Sequence, residues 1–229
     1  LKELINQRDG NIKQYKEDLN LMVNELAFRV NSIHGNGTGI NGAKYTETGA
    51  YILDKEERQN PLPFLKSGAF EIKLINEHKE IEEVYTINLQ AGVDTIETVI
   101  DKINREAGAY ETVGEGDQKK EVLKEITPFK AELTPDGIVK LSAGMGKQFI
   151  YGEDNTDLKP ILGLNCFFHL TNGARDIQVN QEFVEDEMKI VAGTDLIPGD
   201  NRVALAIAEL QYASTMNDET TSFNEFYNA

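Results

Sequence analysis

The chain of 229 residues has no tryptophan, one cysteine, three histidines and six prolines. A single cysteine, Cys166, excludes an internal disulfide. Its apolar setting, Leu162-Gly163-Leu164-Asn165 before it and Phe167-Phe168 after it, holds nothing to lower a thiol pKa, so it reads as a small buried hydrophobe. His34, His78 and His169 lie too far apart in the chain for a helix-borne pair of zinc ligands. The lack of tryptophan removes a common stacking platform for sugars. Positive charge is scarce as well: 23 Lys and Arg face 39 Asp and Glu, a formal charge of −16. That balance argues against sequence-independent binding to nucleic acid or to an anionic membrane. No run approaches the ~20 apolar residues of a membrane span, and no basic segment with an apolar run behind it opens the chain, so no cleavable signal peptide is visible.

Chemical motifs fail on particular residues. Gly144-Met145-Gly146-Lys147-Gln148 ends like a phosphate-binding loop, but Leu141 stands where the first glycine belongs and Gln148 replaces the magnesium-binding hydroxyl. Glu153-Asp154-Asn155-Thr156-Asp157 lacks the alternating ligands, central glycine and distal glutamate of a calcium loop and reads as a turn with a helix cap. Gly35, Gly37 and Gly39 follow a helix, whereas a phosphate cradle follows a strand. Asn36-Gly37-Thr38 is a formal glycosylation sequon better explained as turn chemistry. There is no Gly-x-Ser-x-Gly elbow. The sequence therefore names no catalytic, cofactor-binding or metal-binding residue, and a carboxylate-dependent hydrolase rests only on the abundance of acidic side chains.

What is present is a helical seam. Residues 1–34 contain no proline and one glycine, and Ile5, Ile12, Leu19, Leu26 and Ile33 recur seven apart. Tyr15 and Met22 stand three after a seam residue, Val23 and Val30 four after. Gly35 is expected to take the left-handed position that ends this helix. Near the other end Pro198-Gly199 make a turn, Asp200 or Asn201 can cap a helix, and Val203, Ile207 and Leu210 share one face of it. The expected fold is α+β, a long helical stalk formed by the N- and C-terminal helices, carrying a β-rich insertion that contains short helices. Residues 1–39 and 199–229 make the stalk and 40–198 the inserted mixed domain, in one or two subdomains. With the seam closing an antiparallel helix pair, Leu19→Asp is expected to unfold the stalk.

Within the insertion, Asn60-Pro61-Leu62-Pro63 reads as an extended connector. Alternation predicts strands over 69–75 and 84–89, and Ile96, Val99, Ile100 and Ile103 predict a helix over 95–107 that stops at Gly108. Thr134-Pro135-Asp136-Gly137 joins a hairpin of 129–133 and 138–141. Short strands are predicted at 149–151, 177–179 and 188–191, a short helix around Leu158, Ile161 and Leu162, and a charged loop tip over 114–120.

Several blocks resemble the bacterial flagellar hook-associated protein family that forms the first hook-filament junction ring. They are Gln7-Arg8-Asp9 followed by Ile12, Tyr15, Leu19 and Leu26; the exit Asn31-Ser32-Ile33-His34-Gly35; Leu162 to Phe168; Ile177-Gln178-Val179-Asn180; Gly199-Asp200-Asn201 with Ala204-Leu205; and Phe223 to Tyr227. The exit departs from the family's Asn-x-x-His-x-x-Gly pattern in that its glycine arrives early. The acidic stretch around 109–125 and the connector 60–66 match nothing in the family pattern. The resemblance implies a structural component of the flagellum, without catalysis or cofactor, located outside the cell after type III export. Its implied partners are further copies in a ring, the hook protein, the next junction protein, and an export chaperone reached through a terminal segment that this chain is expected to lack, with no nucleic acid and no membrane. The alternative from a different class is an extracellular binding module or adhesin that uses the β-rich insert.

Overall fold

The computed structural model describes residues 2–39, 42–50, 55–115, 118–169, 173–194 and 197–228; the side chains of residues 2 and 4–7 lie outside that description. Helix α1, Lys2–Gly35, runs 34 residues, as the absence of proline allows. It does not end through a left-handed Gly35, which is not among the residues of positive φ. The last turn instead tightens, Asn36 N–H donating to the Ile33 carbonyl and Gly37 N–H to that of His34.

The body is built from short antiparallel strands. β1 (Thr46–Thr48) is followed by β2 (Gly68–Ile75), β3 (Ile81–Leu89), helix α2 (Ile96–Glu106), β4 (Tyr110–Val113), β5 (Lys120–Leu123), β6 (Phe129–Leu133), β7 (Val139–Ala143) and β8 (Gln148–Asp154). One sheet has the order β3-β2-β8 and another β1-β7-β6. Lys44 joins them, because it pairs with Phe149 of β8 two residues before its own strand begins to pair with β7. The strands thus form one curled strip from β3 to β6.

Helix α2 packs against both ends of that strip. Thr95 and Thr98 form its capping box, and Ile96, Val99 and Ile103 are buried. Two polar side chains cover strand edges. Lys102 Nζ donates to the Asn88 carbonyl at 3.0 Å. The fully buried Asn104 accepts from Ala131 N–H at 2.8 Å and donates to the Ala131 carbonyl at 2.9 Å. Exposed edges invite pairing with other chains, so this covering protects the strip as well as stabilising it. Inside lie Phe70, Ile72, Leu74, Ile87, Phe129, Leu141 and Phe149, with Phe129 edge-on to Phe149 at 5.2 Å.

The chain then forms α3 (Leu158–Leu162), β9 (Phe168–His169), β10 (Gln178–Val179), α4 (Gln181–Glu185), α5 (Arg202–Glu209), the hairpin β11 (Ser214–Met216) and β12 (Thr221–Ser222), and α6 (Phe223–Tyr227). The charged loop tip expected over 114–120 falls between two strands that periodicity does not mark, β4 and its partner β5, which takes in Lys120; residues 116–117 lie outside the described residues. One expectation inside the body is corrected. The strand expected over 188–191 does not form: Glu187–Lys189 make a 3₁₀ turn, in which the Asp186 carboxylate accepts from Met188 N–H.

The expected class is overturned too. The fold is mixed α/β with small sheets, and no stalk of two long terminal helices forms. α5 has 8 residues, a length of about 12 Å against roughly 50 Å for α1 at 1.5 Å per residue. Its end tightens where Leu210 N–H donates to the Ile207 carbonyl and Tyr212 N–H to that of Glu209, Leu210 turns inward, and the chain leaves as a hairpin. α5 therefore contacts α1 but is too short to cover the seam. Ile12 and Leu19 stand 43% and 46% exposed, while Ala27 and Val30 are buried. Accordingly Leu19→Asp is expected to shift stability by no more than about 0.5 kcal/mol, whereas Ala27→Asp buries an unpaired carboxylate and lowers the melting temperature by many degrees. Thermal melts of the two variants side by side decide this; a large drop for Leu19→Asp would mean that its half of the helix is packed.

Candidate functional site

Side-chain hydrogen bonds from distant parts of the chain converge on the joint where α1 enters the body. Asn31, near the last turn of α1, treats the peptide of Phe168 as a strand would. Its Nδ2 donates to the Phe168 carbonyl at 3.0 Å and its Oδ1 accepts from Phe168 N–H at 2.8 Å. Asn36 does the same for Asp154, both bonds being 3.0 Å. Ser32 Oγ donates to Asp157 at 2.8 Å, and Asn165 returns an amide towards the carbonyls of Gly35 and Gly37.

His34 sits at the centre, almost wholly buried. Its Nε2 lies 3.1 Å from Val191 N–H and must accept, so Nδ1 carries the proton and donates to the Asn165 carbonyl at 2.9 Å. The ring meets Phe183 edge-on at 4.9 Å and Phe167 at 5.5 Å. Burial pushes its pKa down to about 4; the bond to Asn165 and the Glu182 carboxylate oppose that shift, and Lys44 adds to it.

Beside the joint lies a polar cleft of about 720 Å³, lined in part by Lys44, Glu47, Asn165, His169, Asn180 and Glu182. Lys44 Nζ is 3.0 Å from Glu182 and 3.4 Å from Glu47. Glu47 is held on its other side by Tyr151 O–H and Asn165 N–H, both at 2.6 Å. Burial works against the Lys44 charge, yet its two carboxylates outweigh it and raise its pKa. This is a fixed, charge-assisted tie between the chain before β1 and α4.

Lys159 on α3 is fully buried. Its Nζ donates to the Gly152 carbonyl at 3.1 Å and stands 5.4 Å from the Tyr151 ring centroid. Burial lowers its pKa to about 8 from 10.5, with Asp154 opposing the shift. The unfolded chain therefore binds more protons between those values, and stability is expected to rise as pH goes from about 8 to 10.5. Lys159→Met should flatten that rise in denaturant titrations; an unchanged pH dependence would place the effect elsewhere. Cys166 Sγ donates to the Leu164 carbonyl at 3.4 Å, and burial pushes its pKa well up, which keeps the thiol protonated and unreactive.

The residues singled out by periodicity are only partly gathered here. Val203 and Leu210 are buried, and Leu26, Ile33 and Ile207 are half-buried. Ile12 and Leu19 point to solvent, and the Ile5 side chain lies outside the described residues. Of the two expected caps of α5, Asp200 accepts from Arg202 N–H, while Asn201 makes no side-chain cap. The sequon residue Asn36 commits its amide to Asp154. Periodicity missed Asn31, Asn36, Lys44, Glu47 and Lys159, since polar residues are invisible to a search for apolar stripes. The blocks 31–35 and 162–168 were the one signal that pointed to the joint.

Among the described residues no group of three or more His, Cys, Asp or Glu is placed to hold a metal ion, and no helix is long and apolar enough to cross a membrane. No family model matches the chain, and no curated protein matches it.

Proposed function

We propose that this protein is a structural component of the bacterial flagellum that joins hook to filament as a ring of like subunits, exported through the flagellar type III channel and acting without catalysis. The observation that carries the reading is convergence. Residues quoted for the family resemblance come from distant parts of the chain and meet at one joint. Asn31 and His34 bind Phe168 and Asn165, Asn180 N–H donates to the Phe167 carbonyl, and Val203, just after Asn201, donates its N–H to the Ala192 carbonyl beside the His34 contact at Val191. A joint with this many cross-links transmits force between a projecting helix and a folded body, which a connector under mechanical load requires. The exposed Ile12, Tyr15 and Leu19 of α1 leave an apolar stripe for contacts within the assembly. The partners on this reading are further copies of the chain, the hook protein, the next junction protein and an export chaperone.

A strain lacking the protein should build hooks and release filament subunits into the medium. Filaments of normal length on such a strain would overturn the reading. The polar cleft beside Lys44 favours the second reading, an extracellular binding module. That reading expects saturable binding of a glycan or peptide by the full chain, lost on Lys44→Ala.

A further inference from the structure

The cleft beside the joint is walled by two strand edges whose backbone groups have no partner among the described residues. In the ladder between β1 and β7, Ala143 N–H donates to the Tyr45 carbonyl and Gly49 N–H to that of Val139. Residues 45, 47 and 49 therefore turn their backbone groups to β7, and residues 44, 46, 48 and 50 turn theirs the other way. The two ends of that second set are taken. Lys44 exchanges both its backbone bonds with Phe149, and Ala50 N–H donates to the Leu162 carbonyl at 3.1 Å. Thr46 and Thr48 lie between them, exposed, and both line the cleft. The bare edge is thus a window closed at each end.

β10 supplies the other edge. Asn180 N–H donates to the Phe167 carbonyl, so Val179, opposite Phe168 in the ladder, is the residue whose N–H and carbonyl point away from β9. Phe168 agrees with that parity, since its own outward peptide is the one that Asn31 covers. Val179 is exposed and lines the same cleft as Thr46 and Thr48. In four other places the protein covers backbone groups of its strands with side chains, Asn31 at Phe168, Asn36 at Asp154, Asn104 at Ala131 and Lys102 at Asn88. No described side chain does so at Thr46, Thr48 or Val179. The Lys44 charge in the cleft wall is already held by Glu47 and Glu182, so what the cleft offers an incoming molecule is backbone. Thr46 and Thr48 stand about 7 Å apart along the strand, the repeat at which an extended peptide presents its own alternate N–H and carbonyl pairs; a sugar ring has no such repeat.

We propose that this cleft binds an extended peptide by strand addition, the incoming segment pairing with Thr46 and Thr48 on one side and reaching Val179 on the other. Such recognition reads main chain and is tolerant of the peptide's sequence. The proposal rests on the binding reading of the cleft, narrows its ligand from glycan or peptide to peptide, and is independent of the ring.

Random nonapeptides displayed on phage are selected against the full chain, and the recovered sequences are synthesised with blocked ends. Their binding, read by fluorescence anisotropy, should fall roughly ten-fold or more on Thr48→Pro, which removes one donor of the window. A strand tolerates proline where its N–H faces away from the neighbouring strand, so the thermal melt of that variant should stay near that of the parent. The same peptides methylated at alternate backbone nitrogens test these bonds from the ligand's side, and one of the two methylated series should lose binding to a similar degree, whether or not Thr48→Pro folds. Recovery of no peptide, equal binding by a folded Thr48→Pro, or equal binding of both methylated series overturns the proposal. A glycan that binds and is released by Lys44→Ala, with no peptide bound, overturns strand addition and leaves the binding reading standing. Binding of neither ligand removes both.

Discussion

Acidification from pH 6.5 to 4 is expected to remove about 3 kcal/mol of folding stability through His34 alone, an order-of-magnitude figure from the pKa difference. The folded protein holds this imidazole neutral, because burial disfavours the cation and Nε2 must keep a lone pair for Val191 N–H. The unfolded chain titrates near 6.5. Within that window the unfolded state binds the extra proton, so stability is fully present above pH 6.5 and falls as the pH drops through it towards 4. Protonation would also turn Nε2 into a donor facing a donor, which loosens the hold of α1 on residue 191. Carboxylates begin to titrate towards the acid end, so the measurement is a difference. Urea unfolding of the parent and of His34→Gln is compared at steps from pH 7 to 4.5, and the parent should lose stability more steeply. Parallel curves would mean that His34 keeps an ordinary pKa in the folded protein.

Gly37→Ala is expected to cost about 3 kcal/mol, at the upper end of what overpacking usually exacts. A Cβ at Gly37 would lie 2.2 Å from Val191 Cγ1, 2.6 Å from the Gly193 carbonyl oxygen and 2.7 Å from Val203 Cγ2. Two of these are side chains that could turn. The third is backbone, and that carbonyl already accepts from Thr38 N–H at 3.0 Å, so the methyl group has nowhere to go without opening the joint. Gly10→Ala is the contrasting control. Nothing lies within 4 Å of its added Cβ, and replacing glycine inside a helix stabilises by roughly 0.5–1 kcal/mol. Midpoints of urea unfolding should therefore move in opposite directions for the two variants. A Gly37→Ala protein as stable as its parent would show that the chain crosses 191–203 less closely.

Much of the body is legible in the amino-acid order. Thr95 and the spacing of Ile96, Val99 and Ile103 locate α2 to within a residue at each end, and Pro135-Asp136-Gly137 locates the β6–β7 turn, where Gly137 takes a φ of 86°. These are local signals, a cap in one case and a turn residue in the other, and local interactions suffice to decide them. The β4–β5 hairpin leaves no such signal because its strands are mostly exposed and charged, so no apolar alternation marks them.

The sequence by itself determined a long α1, a β-rich middle, an acidic surface and the absence of a disulfide, all properties of composition or of neighbours along the chain. Only the tertiary structure decided which part of the seam is buried and what holds α1 to the body. The heptad at Ile12 and Leu19 is as regular as that at Leu26 and Ile33, yet the first pair faces solvent and the second is half-buried. Periodicity states that a face is apolar; whether a partner reaches it depends on where α5 stops and where residues 165, 168 and 191 come to rest. The hydrogen bonds from Asn31, His34 and Asn36 cross more than a hundred residues of chain. Bonds between groups so far apart leave no periodic trace in the sequence, because they exist only once the body has folded.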